Sequence, residues 1–299
     1  MKIAESKTRG TPLRSRLAPT PSGYLHLGNG VNFLIAWLLV QQKGGTLKLR
    51  IDDADSSRTQ PEYIEDIFVE LDWLGITWDE GPDGPDDFVR RHSQNLRRER
   101  YRQVLNELEA RELLFPCACS RKQITARTAD GLYPGTCRGQ AMVAVRDQAV
   151  RIRVPAETVI SAGDHSVALD RVMGDFVLWR RDDLPAYQLA SLVDDLDDRM
   201  NCIVRGRDLV ESTAAQLFLA TALGEAGAPF RAAAFFHHPL IPGHGGQKLS
   251  KSDNALSLTV MREQGVTPAL VYQATARILG LDPLPIATLA DLRAAFCGQ

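Results

Sequence analysis

The sequence has neither a long apolar run nor an excess of charge of one sign. Its 299 residues contain 35 lysines and arginines against 37 aspartates and glutamates, a formal net charge of −2. Such a chain has no global positive field that would attract a nucleic-acid backbone, so any RNA contact must be local. The most apolar stretch, residues 33–40, is far shorter than the ~20 residues that a membrane-spanning helix needs. The polar, basic N-terminus also differs from a signal peptide.

Cysteine is scarce and odd in number. Five cysteines in a chain of this length, with no signal peptide, favour reduced thiols and a cytoplasmic location. Three of the five lie within residues 117–137, which indicates a local site. Cys202 lies in a predicted buried strand and Cys297 near the end of the sequence, and we expect both to be inert.

The first 80 residues alternate short apolar runs with longer amphipathic ones. Strands are predicted over 13–17 and 46–51, and helices over 31–42 and 62–74, the second of which follows Pro61. This order is typical of an α/β domain, in which a right-handed crossover joins two parallel strands.

The pattern changes after residue 81 and returns to α/β after residue 187. A loop is predicted over 81–87. A charged helix is predicted over 96–111 and strands over 150–154 and 176–180. They are followed by a helix over 187–195, a strand over 202–205 and a helix over 212–223. We therefore expect an α/β domain interrupted by an insertion, followed by C-terminal helices. The predicted segments are 12–81 (first half), 82–180 (insertion), 181–260 (second half) and 261–299 (helices).

One candidate motif is the turn PTPSGYLHLGN over residues 19–29, between the first strand and the first helix. Gly23 and Gly28 allow a close backbone approach, and helix-terminal N–H groups would face an anion. His26 adds a donor that can meet a phosphate. An ordinary Gly/Pro turn capped by Asn29 is the alternative.

A second candidate motif is KLSKS, over residues 248–252, after the glycine-rich stretch 242–246. Two lysines three positions apart, with hydroxyl groups beside them, suit the charge that develops on a transferred phosphate. A solvated basic loop is the alternative.

Together the two motifs resemble the signature motifs of class I aminoacyl-tRNA synthetases. Other segments resemble the glutamyl/glutaminyl branch of that family: RLAPTPSG (16–23), RIDDAD (50–55), LGITWDEGP (74–82), AYQLA (186–190) and VRGRDL (204–209). The matches are colinear over about residues 14–258. The resemblance implies an α/β fold, with a Rossmann-like parallel nucleotide-binding sheet and an inserted α+β subdomain that binds the acceptor and zinc.

Few residues follow Ser252, which favours the stand-alone catalytic members of the branch over those with anticodon-binding domains. The resemblance then implies ATP- and Mg²⁺-dependent activation of glutamate without tRNA, followed by transfer to queuosine in tRNA(Asp). We expect a monomer with no membrane contact. Transfer to a tRNA 3′ end, transfer to a non-RNA acceptor and a non-catalytic binding role stay open as alternatives.

The resemblance also implies roles for individual residues. The residues expected to bind ATP are His26, Gly28, Asn29, Lys248, Ser250 and Lys251. Of these, His26, Lys248 and Lys251 are also expected to be catalytic. Those expected at glutamate are Arg16, Ala18, Thr20, Asp52, Tyr187 and Arg205. Asp52 is one methylene shorter than the family's usual glutamate, which leaves glutamate, glutamine or an analogue open as substrate. For Asp53 and Asp55 we expect capping and loop hydrogen bonds.

The cysteine cluster has the pattern C-x-C…Y-x3-C, formed by Cys117, Cys119, Tyr133 and Cys137. Three thiolates and a phenolate could close a tetrahedral structural zinc site. The pattern resembles the zinc motif of the stand-alone members. A metal-free cluster is the alternative, since some glutamyl-tRNA synthetases carry a similar pattern without metal.

Two further features leave function open. The basic run over 90–102 could contact RNA phosphates or form a solvated helix face. His237 and His238 end a predicted strand, where packing or a place near the nucleotide is expected over metal binding.

Overall fold

The computed structural model describes residues 11–140, 147–241 and 257–298. Within these residues the strands are β1 (Arg14–Leu17), β2 (Thr46–Leu49), β3 (Leu114–Cys117), β4 (Ala149–Ile152), β5 (Val159–Ala162), β6 (His165–Ala168), β7 (Val177–Trp179), β8 (Cys202–Gly206) and β9 (Ala234–His238). The helices are α1 (Leu27–Lys43), α2 (Pro61–Trp73), α3 (Pro85–Asp87), α4 (Arg98–Glu109), α5 (Arg121–Thr125), α6 (Leu169–Val172), α7 (Tyr187–Asp197), α8 (Val210–Ala222), α9 (Ala228–Ala232), α10 (Leu258–Glu263), α11 (Ala269–Leu279) and α12 (Leu289–Cys297). The predicted positions Lys248, Ser250 and Lys251 lie outside the described residues.

The chain forms two compact units. Of the described residues, the first unit contains 11–93, Met200–Asp208, 233–241 and 257–298. The second contains Gln94–Arg199 and Leu209–Ala232. The four-segment division proposed from the sequence stays a prediction.

The first unit is built on parallel strands, as the α/β pattern predicts. β1 pairs with β2 and β8 pairs with β9, both in parallel. The Arg14 amide donates to Asn201 Oδ1 (2.8 Å), and the Asn201 amide donates to the Arg14 carbonyl (3.1 Å). These bonds place the start of β8 beside β1, so the carboxyl ends of both strands point to one edge.

Helix α1 is the central helix of the first unit. It buries eleven of its seventeen residues, so it is apolar on most sides, as expected of a core helix rather than a surface one. It begins at Leu27, four residues before the predicted start, because His26 already serves as the N-cap. It ends at Gly44, whose φ of 58° is the left-handed conformation that glycine adopts without strain.

The second unit combines antiparallel strands with helices. β3, β4 and β7 form one antiparallel sheet, and β5 and β6 form a hairpin. The charged helix α4 turns its buried Tyr101, Val104, Leu105 and Leu108 inward. At its start, Arg97 (2.8 Å), Gln94 (2.6 Å) and the Tyr101 hydroxyl (2.9 Å) all donate to the buried carboxylate of Asp194 on α7.

One local prediction needs correction, and one element was not predicted. The predicted loop over 81–87 ends in the short helix α3, because Pro85 suits a first helical position and Phe88 is fully buried behind it. The β5–β6 hairpin was not predicted. In the part of the chain that the structure describes, every helix is too short or too polar to cross a membrane.

Candidate functional site

Residues 26–29, here called the HLGN turn, start helix α1 and are held by hydrogen bonds within the turn. The His26 amide donates to Asn29 Oδ1 (2.9 Å), so Asn29 caps α1 as in the alternative interpretation of this turn, and the roles of Gly28 and Asn29 at ATP stay predictions. The His26 ring lies over Gly28, where a Cβ would come within 3.0 Å of ring atom Cε1. Glycine at this position therefore leaves the imidazole its place at the N-terminus of α1, where backbone N–H groups favour an anion.

The surroundings of the exposed His26 imidazole favour its neutral form. Partial burial lowers its pKa, and the nearby Asp208 carboxylate opposes that shift only in part. A neutral imidazole donates one N–H hydrogen bond and carries no net charge. His26 is thus suited to contact a phosphate oxygen as a hydrogen-bond donor.

Arg16 and Arg205 are buried cations at the same edge of the parallel strands. Arg16 lies in β1 and is 3% exposed, and Arg205 lies in β8 and is 2% exposed. Arg16 Nη1 donates to the carbonyl of Val204 (3.5 Å), which joins the two strand ends. Ligands of open α/β folds bind at this carboxyl edge. Two guanidinium groups there favour an anionic ligand.

Asp52 forms a buried bidentate ion pair with Arg50. Arg50 Nε lies 2.7 Å from Asp52 Oδ1 and Nη2 lies 3.2 Å from Oδ2. The Asp52 amide donates to the Pro19 carbonyl (2.8 Å), so the segment after β2 runs beside the segment after β1. The carboxylate is therefore held by Arg50, and its role towards an ammonium group stays a prediction.

Of the neighbouring acidic residues, Asp55 makes a local loop hydrogen bond as predicted, whereas Asp53 binds a residue forty positions further along the chain. Asp53 accepts from the Ser93 hydroxyl (2.5 Å) and Asp55 from the Ser57 hydroxyl (2.6 Å). Ala18 and Thr20 lie in the segment between β1 and the HLGN turn. Their contacts with glutamate stay predictions.

Tyr187 is the first residue of α7 and belongs to the second unit. Its side chain is exposed. The next residue, Gln188, donates to the Ser212 hydroxyl (3.1 Å), which fixes the start of α7 against α8. An exposed phenol at a helix N-terminus is available to a ligand, and its role at glutamate stays a prediction.

Cys202 and Cys297 lie outside the cysteine cluster, in a strand and near the end of the sequence. Burial raises the pKa of Cys202 to about 11, so its thiol is inert as predicted. Cys297 is exposed at the end of α12.

His238 is buried, with Nδ1 2.8 Å from the Pro239 carbonyl and Nε2 3.3 Å from Asn32 Oδ1. These contacts agree with the predicted packing role, and the neighbouring His237 stacks on Phe235; a place near the nucleotide stays a prediction.

The cysteine cluster brings three thiols and a phenol together. The sulfurs of Cys117, Cys119 and Cys137 all lie within 4.8 Å of one another, with Cys119 and Cys137 3.7 Å apart. Tyr133 Oη accepts from the Cys137 amide (2.6 Å), which brings the phenol to the same place. Gly135, with φ 78°, makes the turn between them.

These donors fit a tetrahedral zinc ion. Zn–S bonds of about 2.3 Å at tetrahedral angles place sulfur atoms about 3.8 Å apart, close to the distance between Cys119 and Cys137. Burial raises the pKa of Tyr133 and of Cys119. Burial also acts to raise the pKa of Cys137, but hydrogen bonds, first that of Tyr133, lower it overall.

The surroundings of Tyr133 hold its ring in place. The Arg151 guanidinium lies 4.2 Å from the centre of the ring, and the Phe115 ring lies 5.9 Å away on centroids. A cation over an aromatic face is attracted to it and also offsets negative charge that collects nearby. The Arg151 guanidinium and the Phe115 ring therefore both pack against Tyr133 and hold it beside the three cysteines.

The basic run over 90–102 is largely paired with carboxylates. In the second unit Arg97 and Arg100 bind Asp197 at 2.7 and 2.9 Å. Arg102 binds Asp183 and lies over the Trp179 ring. These arginines are engaged within the protein, which favours the helix-face interpretation over RNA binding.

Sequence reasoning missed a pair of carboxylates on α2. Asp66 and Glu70 are buried one helical turn apart, and their partners Thr259 and Arg262 lie on α10. The available signal was two acidic residues four positions apart beside an apolar helical stripe. Their partners lie more than 190 residues away in sequence, so the pattern alone could not reveal them.

The comparison with known families agrees with this geometry. The family model described as tRNA synthetases class I (E and Q), catalytic domain, matches residues 12–284. The chain therefore belongs to the class I tRNA synthetase family of the E and Q type, and the resemblance stated from the sequence is confirmed at this level.

The similar proteins are named for two activities within that family. The glutamyl-Q tRNA(Asp) synthetase of Nitratidesulfovibrio vulgaris is 36% identical over 294 residues, covering 91% of this chain and 87% of the relative. That of Symbiobacterium thermophilum is 37% identical over 296 residues, covering 91% and 88%. A glutamate–tRNA ligase of Anaeromyxobacter is 35% identical over 281 residues, and there the match covers 89% of this chain and only 57% of the relative.

A solved structure shares the fold. The glutamate-tRNA synthetase from Elizabethkingia anophelis matches with a TM-score of 0.72 at 22% identity, over 95% of this chain and 65% of that one. The predicted α/β fold of class I synthetases is thereby confirmed.

Proposed function

We propose that this protein activates glutamate with ATP, without tRNA, and then transfers the glutamyl group to queuosine in tRNA(Asp). The observation that carries the proposal is the pair of buried guanidinium groups, Arg16 and Arg205, at the edge of the sheet from which the HLGN turn starts. Glutamate has two carboxylates, and guanidinium forks bind carboxylates bidentately. The names of the similar proteins supply the acceptor.

In the first step an oxygen of the α-carboxylate attacks the α-phosphorus of ATP. The new O–P bond forms as the bond to pyrophosphate breaks, which gives glutamyl-adenylate. The neutral His26 at the N-terminus of α1 donates a hydrogen bond to a phosphate oxygen, and Lys248 and Lys251 add positive charge. Mg²⁺ would be held by the phosphate oxygens of ATP and would neutralise part of their charge.

In the second step a hydroxyl oxygen of the acceptor attacks the activated carbonyl. An ester bond forms, AMP leaves with its phosphate, and the hydroxyl proton passes to solvent. The residues assigned here need no covalent intermediate on the protein, so positioning and electrostatic stabilisation account for their contribution.

The remaining glutamate contacts complete the pocket. Asp52 would face the ammonium group while Arg50 holds its carboxylate in a fixed orientation. Tyr187 would donate a hydrogen bond to the amino acid, and the backbone at Ala18 and Thr20 would line the same site. These four residues are assigned from the family pattern.

The cluster of Cys117, Cys119, Tyr133 and Cys137 would hold a structural Zn²⁺ ion. All four positions of a tetrahedral site would be filled by the protein, which leaves none for a substrate. The metal would supply folding energy to the loops around β3 rather than chemistry. We also propose a cytoplasmic location, where such thiols stay reduced.

The test of the proposed function has two stages. Pyrophosphate exchange is measured with each of the twenty amino acids in the absence of tRNA, and glutamate alone should support it. Transfer of labelled glutamate is then compared on tRNA(Asp) with and without queuosine. Labelling of the queuosine form alone supports the proposal, whereas equal labelling of both forms would indicate the tRNA 3′ end. Exchange without any transfer would indicate another acceptor, and no exchange a non-catalytic protein.

A further inference from the structure

The buried carboxylates of α2 face the first residues of α10. Asp66 is 7% exposed and Glu70 is 0% exposed. Thr259 Oγ1 donates to Asp66 Oδ1 at 2.6 Å, and Arg262 Nε lies 2.9 Å from Glu70 Oε1. A buried carboxylate is costly unless it is partnered, so these contacts strongly favour one position of α10 against α2.

Asp66 also reaches the HLGN turn. Burial raises the pKa of Asp66, and the backbone of Leu25, the residue before His26, is among the groups that oppose that shift. The Asp66 side chain therefore lies near the segment that leads into His26 and, through Thr259, binds the helix α10.

The two chain segments are in direct contact at the same place. The Leu258 amide donates to the Leu25 carbonyl (2.8 Å), and His26 and Ser257 form an antiparallel bridge. The Ser257 hydroxyl accepts from the Val260 amide (3.2 Å) and so caps α10. His26, the proposed phosphate ligand, thus has Ser257, the N-cap of α10, as its backbone neighbour.

Helix α10 depends on these contacts. It has only six residues, and so short a helix does not hold itself together in water. Leu258 and Met261 pack into the core, but apolar packing alone tolerates small shifts of a short helix. The hydrogen bond to Asp66 and the ion pair with Glu70 are directional, and they define its register.

We propose that Asp66 and Glu70 are positioning residues for the activation step. They hold Thr259 and Arg262 so that Ser257 stays paired with His26, the proposed phosphate ligand. This inference rests on the proposed function, because the quantity that it affects is the use of ATP. It predicts that loss of the Asp66–Thr259 bond impairs ATP use more than glutamate use.

The test compares two substitutions at one position. Thr259→Val removes the hydroxyl at nearly constant shape, and Thr259→Ser keeps it. In glutamate-dependent pyrophosphate exchange, we expect Thr259→Val to raise the KM for ATP at least fivefold and to lower kcat. The KM for glutamate should stay within twofold of the wild-type value, and Thr259→Ser should restore the ATP parameters.

Thr275→Val is the matched control. Thr275 is fully buried in α11 of the same unit, and its hydroxyl donates only within its own helix, to the Val271 carbonyl (2.8 Å). We expect this variant to lower the melting temperature without changing the KM for ATP. Asp66→Asn weakens the same bond from the carboxylate side. The double variant Asp66→Asn with Thr259→Val should raise the KM for ATP no more than the more severe of the two single variants does.

The inference is overturned if Thr259→Val lowers the melting temperature while the KM for ATP stays at the wild-type value. It is also overturned if the KM values for ATP and glutamate rise together, since that would indicate general damage to the site. Failure of the proposed function is a different result, because the wild-type protein would then show no glutamate-dependent exchange.

Discussion

Arg50 holds both carboxylate oxygens of Asp52, and both side chains are buried at the carboxyl end of β2. Neither charge is easily kept without the other, because an unpaired buried ion is costly. The pair explains how a carboxylate one methylene shorter than the family's glutamate can still have a fixed orientation.

Asp52→Asn should therefore affect both stability and substrate binding. The amide leaves Arg50 without its anion, so we expect the free energy of unfolding to fall by about 3 kcal/mol. We also expect the KM for glutamate in pyrophosphate exchange to rise by about tenfold or more, since charged hydrogen bonds contribute about 1.5–3 kcal/mol. Asp55→Asn, in the same loop, is the control and should change neither quantity by a comparable amount. An unchanged KM for glutamate would remove Asp52 from the substrate pocket.

Much of the first unit follows from local pattern. The strands β1 and β2 and the helices α1 and α2 are visible because their apolar residues repeat with the period of each structure and because Gly44 and Pro61 mark their limits. The HLGN and cysteine motifs are visible because their residues are close in sequence. These features depend on neighbours within a few positions.

What the sequence did not reveal depends on distant partners. Nothing near Glu70 in sequence indicates Arg262, and nothing near Asn201 indicates that its side chain binds the Arg14 amide. The β5–β6 hairpin was missed because Val159 is exposed, so the strand lacks the alternation that marks a half-buried strand. Hydrogen bonds between residues distant in sequence form only in the tertiary structure, and an exposed hairpin has too weak a hydrophobic pattern to be predicted from its own residues.

The zinc proposal predicts a graded series of metal affinities. Cys137→Ser should lose the metal, because it removes one of three thiolates. Tyr133→Phe should bind Zn²⁺ at least about tenfold more weakly, since one ligand is lost. Chelator competition measures the affinity, and Co²⁺ substitution reports the ligand set by its spectrum. Cys297→Ser, an exposed cysteine outside the cluster, is the matched control and should keep full metal content. Wild-type affinity in Tyr133→Phe would show that the phenol is not a ligand.

Acid stability should depend on His238. Burial lowers the pKa of its imidazole, and the bond to the Pro239 carbonyl opposes that shift only in part. The unfolded chain therefore binds more protons than the folded one in acid. The stability from the neutral histidine is complete above an unfolded pKa of about 6.5 and is lost as pH falls through the lower folded value.

His238→Gln should reduce that loss. Urea unfolding of the wild-type protein and the variant at pH 7.5 and pH 5.5 gives the change in unfolding free energy for each. We expect the variant to lose less on acidification. An equal loss in both proteins would assign the acid sensitivity to other groups.

Lys251→Ala should abolish glutamate-dependent pyrophosphate exchange. The family pattern assigns this lysine to the charge that develops on the phosphates, a contribution that acts in the transition state. We expect kcat to fall by at least about a hundredfold. Lys43→Ala, at the exposed end of α1, is the control and should retain exchange. Near-wild-type exchange by Lys251→Ala would remove its catalytic role.

Asp194 should be among the most sensitive positions of the second unit. Its buried carboxylate accepts from the Tyr101 hydroxyl, Gln94 and Arg97, so Asp194→Asn leaves several buried donors with a neutral and partly mismatched partner. We expect the free energy of unfolding to fall by about 3 kcal/mol.

Asp183→Asn is the matched control for that substitution. Asp183 also pairs with an arginine, Arg102, but it is 62% exposed, and an exposed pair contributes about 1 kcal/mol or less. The contrast between the two variants, measured by denaturant unfolding, separates burial from ion pairing as the source of stability. If both variants lose the same amount, burial is not the source of the stability that the Asp194 network contributes.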